Sequence, residues 1–128
     1  MPTGGIKKLM SLFNKDAFWA SNRSMNDVKK MLANSQVLVS VWKRNKLIGF
    51  GRATSDKVFR ANLWDVIVSN EFRGKGIGKK LLQEIMKSPN INKVEKVYLF
   101  TTNCKNFYNS MGFSIVSNQI TLLKTFEK

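Results

Sequence analysis

The chain contains no histidine, one cysteine (Cys104), two prolines and only eight acidic residues in 128. Without histidine and with a single thiol, neither a Ser-His-Asp triad nor a closed zinc site can be assembled, so any proton transfer falls to Asp, Glu, Tyr, Lys or water. One cysteine also excludes an internal disulfide framework. No apolar run approaches the roughly 20 residues needed to cross a bilayer. The stretch Ile6–Phe13 is short, basic and broken by Asn14-Lys15-Asp16, which is not the layout of a secretory signal. These absences lead us to expect no membrane partner, no metal and a reducing, cytoplasmic compartment.

What is abundant is positive charge. Lys and Arg number 22 against the eight acids, a formal +14. Such a field draws in anions, whether phosphates, acidic protein partners or nucleic acid. It is equally explained by a habit of composition, since lysine and asparagine are spread along the whole chain. A nucleic-acid platform would interleave aromatics with the basic residues, whereas Phe and Trp here sit mainly in apolar strand patterns, so nucleic acid is disfavoured. The length suits one domain over residues 1–128, able to bury roughly two-thirds of its unfolded surface without covalent staples.

The most informative stretch is Trp64–Met86. An apolar run, Val66-Ile67-Val68, is followed by a polar bend at Ser69-Asn70 and by the turn Arg73-Gly74-Lys75-Gly76-Ile77-Gly78, after which Ile77, Leu81, Leu82, Ile85 and Met86 fall on one helical face. This spacing predicts a buried strand, an anion-binding loop and a helix. Glycines let main-chain N–H groups turn inward, and a helix starting near Gly76 adds its unpaired N–H groups and positive dipole end, so a pyrophosphate is the natural ligand. The glycines do not have the G-x-G-x-x-G spacing of a dinucleotide fingerprint, and Lys75 is followed by Gly76 rather than the Ser or Thr of a P-loop. A plain strand-to-helix turn with solvated lysines is the remaining rival for this segment alone.

The pattern Arg73-Gly74-x-Gly76-x-Gly78 after a Val-Ile-Val strand resembles the acetyl-CoA signature of the GCN5-related N-acetyltransferase (GNAT) family. Phe107-Tyr108-Asn109-Ser110-Met111-Gly112-Phe113 resembles that family's second element, in the right order. Over Leu47–Phe113, the strings LIGFGRATSD and WDVIV are similar to the plastid and cyanobacterial branch that includes serotonin N-acetyltransferase-like enzymes. The resemblance implies an α+β fold with a mixed, mostly antiparallel central sheet flanked by helices and splayed between its fourth and fifth strands. It also implies acetyl-CoA as donor, and a plastid stroma as compartment if the chain is organelle-encoded.

The remaining elements follow from local patterns. Ile6–Phe13 offers a short helix. Ser24-Met25-Asn26-Asp27 is a capping box ahead of a helix over about 25–34, with Val28, Met31 and Leu32 at helical spacing. Val37–Trp42 and Leu47–Ala53 read as a hairpin around Lys43–Lys46, followed by a strand over about 60–68. Pro89, Asn90 and Asn92 end the long helix. Lys96–Thr102 reads as a strand, Cys104–Met111 as a helix, and Ser114–Phe126 as two closing strands around Ser117-Asn118. The order α-α-β-β-β-α-β-α-β-β matches the family with its first strand missing or degenerate.

The chemistry of acetyl transfer assigns candidate roles. Deprotonating a lysine-like amine of pKa near 10.4 costs about 4–5 kcal/mol at pH 7, against about 1 for an α-amine near 8, so a base matters most for alkylamines. Asp65, in an otherwise apolar strand where desolvation should raise its pKa, is the first candidate for base or amine-orienting group. By the resemblance, Tyr108 protonates the departing thiolate or hydrogen-bonds its sulfur. Main-chain groups of Val66, Ile67 and Val68 meet the thioester oxygen and the pantetheine arm. Residues Arg73, Gly74, Lys75, Gly76, Ile77, Gly78 and Lys79 hold the pyrophosphate, with Lys79 or Lys80 near the ribose phosphate. Many relatives place Asn or Asp seven residues before the tyrosine. Here Thr101 stands there, and Asn103 is the substitute we expect at pantetheine. Cys104 lies close by, but no histidine can activate it, so direct transfer is expected. Phe18, Trp19 and Trp64 are candidates for the acceptor wall.

A small aralkylamine such as serotonin or tyramine is the favoured acceptor. Protein lysine or N-terminal acetylation is the alternative, and a silent acyl-CoA-binding or polyanion-binding module is the reading from another class. The chain is expected as a monomer or homodimer.

Overall fold

The computed structural model describes residues 4–127. Helix α1, Gly5–Asp16, buries Leu9, Leu12 and Phe13, whose spacing of three and four residues places them on one stripe. Helix α2, Met25–Ala33, begins where Ser24 accepts a hydrogen bond from the Asp27 N–H at 3.1 Å, the N-cap that the capping box predicts. Strands β1 (Val37–Lys43), β2 (Lys46–Ser55), β3 (Arg60–Val68) and β4 (Lys96–Tyr98) lie side by side in that order. The first two pairings are antiparallel and the last is parallel. Helix α3, Ile77–Lys87, crosses between β3 and β4, and α4, Lys105–Ser110, follows β4. No strand precedes α1 among the described residues, so the family's first strand is absent there.

The sheet separates two cores. On one face α1 and α2 bring Leu9, Phe13 and Val28 onto Phe50 and Ile67. On the other, α3 lays Leu81, Leu82 and Ile85 over Ala53, Ala61 and Leu63. The helix sits close because β2 carries glycine beneath it. A Cβ built on Gly51 would stand 2.7 Å from Ile85 Cδ1.

A bulge in β3 controls which side chains reach each face. The β2–β3 register shifts between Phe50 and Arg52, and Asp65 has φ 53°, the left-handed region. Ala61 and Leu63 face α3, and so do Val66 and Val68, while Ile67 joins the opposite core. Alternation is therefore reset at one extra residue, leaving Asp65 on the α1/α2 side with Trp64 as its neighbour.

Two expectations are corrected here. The strand expected over 96–102 stops at Tyr98, because its pairing with β3 is confined to Arg60–Asn62 opposite Lys96–Tyr98. Leu99–Thr102 then diverge from β3, which is the splay the resemblance implies. The two closing strands expected in Ser114–Phe126 do not form, and Ile115, Ile120, Leu122 and Leu123 are exposed. A strand needs a neighbour's hydrogen bonds as well as an alternating pattern, and β4 is too short to offer that segment a ladder.

Candidate active site

At the end of β3 the chain is tied down before the glycine turn. The Ser69 N–H donates to the Ile48 carbonyl at 2.8 Å, and Arg73 Nε donates to the Val68 carbonyl at 3.3 Å. In the short turn Asn70–Phe72, Glu71 pairs with Lys15 of α1 at 3.0 Å and with Lys46 of β2 at 2.7 Å. Gly74 and Gly76 then adopt φ 79° and 78°, and nothing lies within 4 Å of a Cβ built on either. Open space together with positive φ means that glycine is needed there for backbone conformation and not for want of room. Gly76 is the N-cap of α3 and supplies no side-chain partner for the helix's first N–H groups. Lys75, Lys79 and Lys80 are exposed around it. An open, glycine-turned helix N-terminus ringed by ammonium groups has the donor set and charge that fit a pyrophosphate.

Next to this loop the splay opens a cavity of about 600 Å³. Its walls bring together Phe18, Trp19, Trp64, Asp65, Val66, Asn103 and Tyr108, seven of the residues singled out from the sequence, with Thr101 and Cys104 beside them. Ile67, Val68 and the turn 73–79 are not in that wall. The Ile67 side chain, 3% exposed, belongs to the core under α1, so only its main chain is available to a ligand. The turn reaches the cavity through one layer of packing: a Cβ on Gly78 would sit 3.5 Å from the ring of Phe107, whose neighbour Tyr108 lines the cavity.

The aromatic content of the walls is high. Trp64 and Phe100 rings are tilted at 31° with centroids 6.0 Å apart, and Phe18 meets Trp19 edge-on at 5.2 Å. Tyr108 packs edge-on against Phe107 and Phe113. Its burial, with Cys104 nearby, pushes the phenol up to about 12, so it stays protonated through neutral pH. Thr101 Oγ1 accepts from the Cys104 N–H at 3.1 Å at the start of α4.

Asp65 departs from expectation. Oδ1 accepts from Trp19 Nε1 at 3.0 Å and Arg23 Nη2 at 3.2 Å, and Oδ2 from Arg23 Nη1 at 3.0 Å and Arg52 Nε at 2.8 Å. Burial pushes the carboxyl up, but the two guanidinium groups outweigh it and hold it below the usual carboxylate range. The expected raised pKa is thus reversed, because an apolar strand pattern says nothing of the arginines that fold onto it. Arg23 and Arg52 were not among the residues singled out. Arg52 stood inside the LIGFGRATSD string, and Arg23 immediately before the Ser24 cap, but no local pattern connects either to Asp65.

The sequence matches the Acetyltransferase (GNAT) family over residues 6–113. The chain belongs to this family. Among this GNAT chain's relatives is the protein named Uncharacterized N-acetyltransferase ycf52-like from Prochlorococcus marinus, 37% identical over 100 residues, which make up 74% of this chain and 56% of that one. Another is GCN5-related N-acetyltransferase 2, chloroplastic, from Arabidopsis thaliana, 38% identical over 72 residues, 56% of this chain and 28% of that one. These relatives place it in the plastid and cyanobacterial branch. The chain spans about half the length of the curated relatives it first matches. In fold it is similar to a GNAT-family acetyltransferase from Streptococcus pneumoniae, with a TM-score of 0.81, 21% identity and coverage of 96% of this chain and 92% of that one.

Proposed function

We propose that this chain is one acetyltransferase domain that moves acetyl from acetyl-CoA directly to a primary amine, with an aralkylamine as the favoured acceptor. The observation that carries the proposal is a juxtaposition: a protonated, buried tyrosine lines an aromatic cavity whose neighbour is an open, glycine-turned helix N-terminus. Acetyl-CoA, when bound, supplies the thioester carbon.

The turn 73–79 holds the pyrophosphate by main-chain N–H groups, with Arg73, Lys75 and Lys79 supplying charge and Lys80 beside the ribose phosphate. Beyond Asn62 the edge of β3 toward β4 is unpaired, so main-chain groups of 66–68 take the pantetheine arm as an added strand and direct one N–H at the carbonyl oxygen. Asn103 lies on the wall for a polar contact to the same arm. The amine nitrogen bonds to the acetyl carbon, the carbon–sulfur bond breaks, and the Tyr108 hydroxyl gives its proton to the sulfur and recovers one from solvent. The proton lost by the amine passes to water. Asp65 acts as a positioning residue, fixing Arg23, Arg52 and Trp19 in the wall. Phe18, Trp19 and Trp64 contact the acceptor's ring.

The chloroplastic relative and the solitary thiol support a plastid stroma, or the cytoplasm of a bacterial cell, as its compartment. The test is chromatographic measurement of acetyl-CoA consumption with serotonin, tyramine, spermidine, a lysine peptide and a free-α-amine peptide. Acetylated aralkylamine is the expected product. Coenzyme binding without turnover of any amine would favour the silent binding module instead.

A further inference from the structure

The charged groups in the cavity wall do not balance. Arg23 and Arg52 face Asp65, and no other carboxylate lines the cavity among the described residues. That carboxylate is saturated by the four hydrogen bonds it accepts. The guanidinium groups are not: each carries more N–H donors than these contacts use. Arg52 Nη1 reaches Ser35 Oγ at 3.3 Å, while Arg52 Nη2 and Arg23 Nε have no protein acceptor among the described residues. Both side chains are withdrawn from solvent, Arg52 to 15% exposure and Arg23 to 30%. A surplus guanidinium charge partly removed from water attracts an anion more strongly than a surface lysine does, and its planar donors match a carboxylate.

The same wall has no free carboxylate for a second ammonium, because the one acid among its described residues is already shared between two arginines, whose own charge opposes another cation. We propose that, among the amines this cavity takes, it prefers those carrying a carboxylate on an aromatic or peptide body, held by the free N–H groups of Arg23 and Arg52, over the same amines without one and over di- and polyamines. This rests on the acceptor cavity of the proposed function and goes further in naming the group besides the amine that improves an acceptor. The carboxylate can belong to a free aromatic amino acid or to an acidic side chain beside a peptide α-amine.

The experiment compares matched amines on the wild-type chain. The pairs are tyramine with tyrosine, tryptamine with tryptophan, and two peptides differing only in Asp or Lys at the second position, with spermidine alongside. We expect the carboxylate-bearing member of at least one pair to have kcat/KM higher by about tenfold or more, chiefly through KM. Arg23→Gln, which leaves one guanidinium against one carboxylate, should shrink that ratio toward unity. A preference seen only in peptides assigns the carboxylate to an acidic side chain, and one seen in the free amines assigns it to an amino acid. Binding of 3-(4-hydroxyphenyl)propionate, followed by NMR, needs no turnover. If it binds while no amine is acetylated, the anion site stands and the proposed reaction falls. If tyramine, tryptamine and the Lys peptide are used as well as their partners and the propionate does not bind, the inference is overturned and the acetyltransferase reading stands.

Discussion

Arg52 Nε lies 2.8 Å from Asp65 Oδ2 across the β2–β3 bulge, and Asp65 reaches that position only by adopting φ 53°. Without the extra residue in β3, Asp65 would share a face with Leu63 and point into the core under α3. The bulge therefore turns a carboxylate that would be buried alone into the centre of an ion network.

Asp65→Asn tests the charge separately from the backbone, since asparagine tolerates the left-handed region. Leaving Arg23 and Arg52 without their shared carboxylate should lower stability by about 2–3 kcal/mol, allowing for the partial solvent exposure of Arg23. Urea unfolding of the two proteins measures it. A loss under about 0.5 kcal/mol would mean that the network orders side chains without stabilising the fold.

The stability profile in acid follows from the same group. Its folded pKa is depressed, so its contribution is complete above the unfolded value of about 3.9 and disappears as the pH falls through the folded value. Asp56, whose carboxylate accepts the N–H groups of Val58, Phe59 and Arg60, is also lowered, and Glu71 is lowered to about 2 by Lys46 and Lys15. With no histidine to titrate, the urea midpoint should be level from about pH 5 to 7 and fall below about pH 4. A step near pH 6 would contradict this.

Tyr108→Phe should reduce kcat by about tenfold or more while acetyl-CoA binding changes little, because the ring still packs on Phe107 and Phe113. With the phenol pushed up to about 12 and the Asp65 carboxylate already engaged by Arg23, Arg52 and Trp19 and so not available to deprotonate the amine, wild-type kcat/KM should climb with pH toward the acceptor amine's own pKa. It should show no falling limb below about pH 10. Initial rates across pH for two amines of different pKa check this, and identical profiles would show that an enzyme group sets the pH dependence.

Two glycines should respond differently to alanine. Gly76→Ala strains a backbone at φ 78° with empty space around it, costing about 1 kcal/mol and weakening coenzyme binding. Gly51→Ala meets Ile85 at 2.7 Å, so α3 must lift or Ile85 must change rotamer, at about 1–3 kcal/mol. Thermal unfolding with and without acetyl-CoA separates the two. The coenzyme should stabilise the Gly51 variant as it does the wild type, and the Gly76 variant less.

The strand, glycine turn and helix of 64–86 were legible in the sequence because each depends on neighbours a few residues away: an apolar run, residues free to take positive φ, and a 3.6-residue stripe. The Ser24 cap is local in the same way. The absence of histidine likewise removes whole classes of chemistry whatever the fold. What lay beyond the sequence was everything set by distant pairing. Arg23, Arg52 and Trp19 come to Asp65 from 42, 13 and 46 residues away, so the direction of its pKa could not be inferred from its own strand. The tail after Phe113 carries an alternating pattern that only a partner edge could turn into a strand, and β4 ends before it can provide one. Local order is written in short-range sterics and periodicity, whereas the charge state of the cavity and the extent of the sheet were decided when tertiary structure brought remote residues together.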